Sequence, residues 1–158
     1  VTRLEPLQIH ATCVASRDGA VVLRGASGAG KSDLGFRLID RGFHLVADDR
    51  VDLRRVGSRL VATAPATLRG LIELRGIGIV RIAAVRDEAD VALVVDLVPR
   101  VAVERLPEPA SAAYLGVAVP RLALDPFDAA TPAKLAFALA TPGAVRRPAA
   151  ALRGKPAA

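Results

Sequence analysis

Gly25-Ala26-Ser27-Gly28-Ala29-Gly30-Lys31-Ser32 decides how the rest of this 158-residue chain is read. The stretch fits G-x-x-x-x-G-K-[ST], a loop whose glycines let successive backbone N–H groups converge on phosphate oxygens. Its setting gives the match weight. Ala20-Val21-Val22-Leu23 before it reads as an apolar strand, and after it Leu34 and Leu38, like Gly35 and Ile39, stand four apart. That spacing predicts a helix over 31–41, with Gly42 as its stop. In a chain of this composition a chance match is on the order of one in a thousand. A helix opening on the loop adds its positive end, Lys31 is expected to reach the β- and γ-phosphates of a nucleotide, and Ser32 is expected to ligate Mg²⁺.

Outward from the loop the chain reads as short strands. Residues 8–16 alternate loosely, and Arg17-Asp18-Gly19 supplies the turn that folds them into a hairpin with 20–23. Residues 43–47 form a strand ending at Asp48-Asp49, and 51–56 pairs with 60–64 across Gly57-Ser58. Further strands are expected at 79–83, 91–98 and 122–124. Thr131-Pro132 reads as an N-cap followed by proline at N1, opening a closing helix over 133–140. The expected fold class is α/β, a P-loop core with a mixed β-sheet. The expected organisation is one P-loop catalytic domain over 1–140 and a basic, Pro/Ala-rich flexible tail over 141–158.

Composition narrows the classes. Hydrophobic residues make up 52% of the chain and charged residues 24%, a globular balance, with no apolar run of membrane length. The N-terminus lacks the basic start and apolar stretch of a signal peptide, so a soluble, cytoplasmic protein without membrane contact is expected. A single cysteine, Cys13, and two histidines, His10 and His44, exclude a disulfide scaffold and a cysteine/histidine zinc site. The net charge of +6 suggests an acidic partner, but four of those charges (Arg146, Arg147, Arg153 and Lys155) lie in 141–158, where there is no acid. With four Phe, one Tyr and no Trp, little surface is offered for base stacking, and nucleic acid is not expected as a partner.

Asp48 and Asp49 follow the glycine loop by one helix and one short strand. Extended adjacent acids point in different directions, so one can support a metal or its water while the other faces a nucleophile and takes its proton. Arg50, Arg54, Arg55 and Arg59 alternate with apolar positions and read as a solvated sheet face. His44 reads as structural. His10 and Glu73-Leu74-Arg75-Gly76-Ile77-Gly78-Ile79 carry no decisive chemistry alone.

Together these segments resemble the catalytic domain of the HPr kinase/phosphorylase family, whose members phosphorylate a serine of the phosphocarrier HPr. Ile9-His10-Ala11-Thr12 is similar to the family's histidine strand, 25–32 to its P-loop, Leu45-Val46-Ala47-Asp48-Asp49-Arg50-Val51 to its acidic motif, and 73–79 to its signature segment. The resemblance is strong from Ile9 to Val80 and weaker to Ala140. It implies a core related to phosphoenolpyruvate carboxykinase, Lys31 on the phosphates, Ser32 and Glu73 as Mg²⁺ ligands, His10 in the active site, Asp49 as general base and Asp48 beside it in the metal and phosphate network. Arg105 is the nearest counterpart of a later catalytic arginine. The chain is similar to the short form found in alphaproteobacteria, in which the catalytic motifs begin almost at residue 1. It reads Leu124-Asp125-Pro126-Phe127 where the family has a Pro-Val-Arg-Pro-Gly-Arg-type loop associated with dephosphorylation.

The resemblance implies an ATP- and Mg²⁺-dependent protein serine kinase acting on an HPr-like phosphocarrier, with the reverse phosphorolysis and a homo-oligomer, hexameric in the family, as further expectations. The residues alone leave open an ATP-sensing regulatory module without transfer, or a P-loop kinase for a small metabolite.

Overall fold

A computed structural model describes residues 6–146. Its strands are β1 (Leu7–Ile9), β2 (Thr12–Ser16), β3 (Gly19–Arg24), β4 (His44–Ala47), β5 (Val51–Val56), β6 (Arg59–Thr63), β7 (Leu71–Leu74), β8 (Gly78–Arg81), β9 (Glu88–Leu97), β10 (Ala110–Tyr114) and β11 (Val117–Leu124). The helices are α1 (Lys31–Asp40), α2 (Thr131–Ala140) and α3 (Pro142–Arg146). The main sheet runs β4-β2-β3-β9-β11-β10, and an antiparallel ribbon β1-β5-β6 joins it along the first residues of β9, while β7 and β8 pair separately.

Strand direction positions the site. β4 and β3 are each antiparallel to β2, β3 is parallel to β9, and β9 is parallel to β11. Four strands therefore end at one edge of the sheet, where α/β folds place their ligands. Asp48 follows β4 there, the glycine loop follows β3, and Asp125 follows β11.

The stretch expected as one strand over 8–16 is two. The chain bends at His10, so that β1 pairs with β5 in the ribbon while β2 pairs with β3 and β4 in the main part of the sheet. β2 and β3 show runs of buried residues rather than alternation because both faces are covered. On one face Val14, Val21, Leu23, Leu45, Leu93 and Val95 pack with Leu34, Leu38 and Leu135 of α1 and α2. On the other, Cys13, Val22, Val46 and Val94 pack with Leu53, Leu60 and Ala62 of the ribbon. The buried Cys13 thiol has its pKa pushed up to about 12 by desolvation, so it behaves as a small apolar core residue.

Helix α1 lies close on β2 because Gly35 has no side chain. A Cβ there would sit 2.9 Å from Thr12 Cγ2. The helix ends as its sequence suggests: Gly42 N–H reaches Ile39 C=O at 3.0 Å and Phe43 N–H reaches Leu38 C=O at 3.1 Å, a Schellman closure. Helix α2 starts at Thr131, two residues before the expected 133. Ala130 is its N-cap, and the Thr131 hydroxyl donates to Asp125 C=O at 2.6 Å instead of capping, tying the helix to the end of β11. Helix α3 falls in the stretch expected to lack structure and packs Val145 against the α-side core. Residues 147–158 of the expected tail lie outside the described residues. Among the described residues no helix is long and apolar enough to cross a membrane.

Candidate active site

The glycine loop turns through Ala29 N–H to Ala26 C=O at 3.0 Å and enters α1 at Gly30, whose φ of 99° is a left-handed conformation that favours glycine. No side chain caps α1, so its first N–H groups are free to face an anion. Lys31 is buried and folds into the loop, its Nζ donating to Gly25 C=O at 2.7 Å and Ala26 C=O at 2.9 Å. Burial lowers the pKa of its ammonium from the ordinary value, against the opposing pull of the Asp48 and Asp49 charges.

Asp48 is the hub. It is 5% exposed, and its carboxylate accepts from Thr12 Oγ1 (2.7 Å), Ser32 Oγ (2.8 Å) and the Glu73 N–H (3.1 Å). One buried group thus joins β2, the start of α1, the end of β4 and β7. Asp49 diverges from it through a tight turn rather than by strand alternation. The Arg50 N–H reaches back to Asp48 C=O at 2.8 Å, with Asp49 between them at φ 66°. Non-glycine residues seldom adopt that conformation, and where it is held it tends to serve a site. The turn leaves the Asp49 carboxylate exposed, 3.2 Å from His10 Nε2 and 3.8 Å from Arg50 Nε.

The structure therefore brings His10, Lys31, Ser32, Asp48, Asp49 and Glu73 to one edge, Glu73 through its backbone at Asp48. Arg105 is different. It lies exposed on the segment leading to β10 and makes no hydrogen bond or ion pair with those residues. The guanidinium at the loop belongs to Arg75, whose Nη2 is 3.9 Å from where a Cβ on Gly28 would stand. The available signal was its place in the Glu73-Leu74-Arg75-Gly76 segment. Thr12 was also missed as a partner of Asp48, although it shares a motif with His10. His44 lies exposed on β4, away from the hydrogen bonds described.

A second cluster braces the edge from below. Arg24, the last residue before the loop, donates Nε and Nη2 to Asp96 at 2.8 and 2.9 Å and Nη1 to Tyr114 Oη at 2.9 Å; Arg121 Nη1 joins the same carboxylate at 2.8 Å. Partial burial pushes the Asp96 pKa up, but the bonds from Arg24 and Arg121 outweigh it and hold the carboxyl below the usual range. β3, β9, β10 and β11 are thereby fastened together next to the glycine loop.

A glycine loop between a strand and an uncapped helix, with carboxylates at a parallel strand's end, is an arrangement by which α/β domains hold phosphate groups. Residues 4–140 match the HPr Serine kinase C-terminal domain, and the chain belongs to that family. The HPr kinase/phosphorylase of Leptothrix cholodnii is 40% identical over 146 residues, covering 85% of this chain and 43% of that protein. That of Lactobacillus acidophilus is 41% identical over 97 residues, 57% of this chain and 30% of the relative. The chain thus spans less than half the length of these curated relatives. A solved structure of the Hpr(Ser) kinase/phosphatase from Coxiella burnetii superposes with a TM-score of 0.75 at 27% identity, covering 88% of this chain and 91% of that one.

Proposed function

We propose that this chain is a cytoplasmic ATP- and Mg²⁺-dependent protein kinase that phosphorylates a serine of an HPr-like phosphocarrier, on a P-loop core related to phosphoenolpyruvate carboxykinase. The observation that carries the reading is the Asp49 turn: an exposed carboxylate in a left-handed conformation, paired with His10, on the same sheet edge as the glycine loop. Family membership supplies the acceptor class.

On this reading the triphosphate lies over the loop's N–H groups, and Lys31 Nζ exchanges the Gly25 and Ala26 carbonyls for phosphate oxygens. Arg75, over the loop, adds positive charge. Asp49 accepts the serine hydroxyl proton as that oxygen attacks the γ-phosphorus in line, and the bond to the β–γ bridging oxygen breaks to release ADP. His10 orients the Asp49 carboxylate. Ser32 Oγ and the Asp48 and Glu73 carboxylates would hold Mg²⁺, which would supply charge neutralisation to the phosphates. The donor set fits it. The Ser32 hydroxyl and Asp48 carboxylate are adjacent hard oxygens. Magnesium ordinarily takes one or two carboxylates together with phosphates and water.

The test is transfer from γ-labelled ATP with Mg²⁺ to HPr-like proteins of the host. Label on a serine is expected; ATP binding without label on any carrier would contradict the reading. Adding inorganic phosphate to the labelled product tests the reverse reaction, in which phosphoserine and phosphate yield serine and labelled pyrophosphate.

A further inference from the structure

Phe127 is a large aromatic left 67% exposed beside the glycine loop. A Cβ built on Gly30 would meet its Cζ at 3.0 Å and Cε1 at 3.2 Å, so the rim of the ring rests against the last glycine before Lys31 while its surface stays open. The backbone of the turn that carries it is held in place. Phe127 N–H donates to Asp125 Oδ1 at 2.9 Å, Thr131 Oγ1 to Asp125 C=O at 2.6 Å, and Arg37 Nη2 to Pro126 C=O. Pro126 is buried. An exposed apolar ring carried by a tied-down turn at a phosphate loop invites a flat apolar ligand surface.

Strand order says which end of a nucleotide would meet it. In the sequence β4-β2-β3-β9-β11, the glycine loop at the end of β3 lies midway along the edge. Asp48 and Asp49 leave β4 two strands to one side, and Asp125 to Phe127 leave β11 two strands to the other. The carboxylate side is the transfer side, so the nucleoside projects from the loop toward β11. Of the chain's five aromatic residues, Phe127 is the one a Cβ on a glycine of the loop would meet.

We propose that the 125–128 turn is the nucleoside platform, with the face of Phe127 stacking on the base and so selecting a nucleotide over a bare inorganic polyphosphate. The proposal rests on the assignment of the glycine loop as the triphosphate site. Its test compares MgATP with magnesium tripolyphosphate, which offers the same phosphates and no base. Base–aromatic stacking predicts that Phe127→Ala weakens ATP binding about fivefold to a hundredfold and leaves tripolyphosphate binding within about twofold of wild type. Phe127→Leu, which keeps apolar bulk without the π face, is expected to behave like Phe127→Ala, and Phe127→Tyr like wild type. The chain has no tryptophan, so Phe127→Trp also places a single fluorophore at the site. Its emission is expected to be quenched by ATP and unmoved by tripolyphosphate. Equal weakening of both ligands, unchanged or tighter ATP binding in Phe127→Ala, or wild-type binding of tripolyphosphate as tight as ATP would overturn the platform while leaving the phosphate loop standing. Binding of neither ligand to the wild-type chain would overturn both.

Discussion

Two parts of the sheet carry many charged side chains and use them differently. On the antiparallel ribbon, Arg54 pairs with Glu88 and Arg59 with Asp90, every partner about half exposed. Such pairs lie in high dielectric and their attraction is largely screened. At the carboxyl edge two carboxylates are tied in. Asp48 is buried among two hydroxyls and an N–H, and Asp96 gathers Arg24 and Arg121 at the foot of the glycine loop. Arginine and aspartate thus solubilise one region and fix geometry in the other, and the difference is burial and the number of donors per carboxylate.

The contrast breaks most easily at Asp48. Asp48→Ala leaves Thr12 Oγ1, Ser32 Oγ and the Glu73 N–H without their acceptor. A loss of about 2–4 kcal/mol in urea unfolding is expected, together with loss of transfer. A change as small as that of a ribbon arginine would mean the hub is not structural. Next comes Gly35→Ala. Helix propensity alone would stabilise it by about 1 kcal/mol, but the new methyl group would sit 2.9 Å from Thr12 Cγ2, the side chain that serves Asp48. Net destabilisation of about 1–2 kcal/mol is expected; a stabilised variant would show that α1 can move off β2 freely.

Asp96 sharpens the comparison through pH. Its folded pKa lies below the unfolded value, so its contribution is present above about pH 4 and is lost as pH falls through the folded pKa. Stability of Asp96→Asn, followed by thermal melting from pH 7 to pH 2.5, is expected to be lower at neutral pH and to converge on wild type in acid. A constant gap across that range would contradict the assigned shift. The smallest effects belong to the ribbon: Arg54→Ala or Arg59→Ala is expected to cost less than about 1 kcal/mol, and less still in high salt.

The sequence made the site edge legible because its determinants are local. The glycine loop needs consecutive residues, the helix stop needs Gly42, and the acids directly end a strand. What escaped it depends on partners far along the chain. The break at His10 follows from β1 pairing with β5 in the ribbon and β2 with β3 and β4. β10 reads Ala-Ser-Ala-Ala-Tyr, too weak a strand pattern to stand out until β11 pairs with it. Strand alternation gave the right divergence of Asp48 and Asp49 for the wrong local reason, since a positive φ cannot be read from Asp-Asp-Arg. Arg105 was favoured by position along the chain, whereas Arg75 reaches the loop because β7 is tied by its backbone to Asp48.

The most direct measurement of the central claim is nucleotide affinity and label transfer determined side by side for wild type, Asp49→Asn and Lys31→Ala. Asp49→Asn is expected to bind MgATP nearly as wild type does and to transfer no phosphate, while Lys31→Ala loses both. Asp49→Asn that transfers at the wild-type rate, or that loses binding and transfer together, would contradict the assignment of Asp49 as the base.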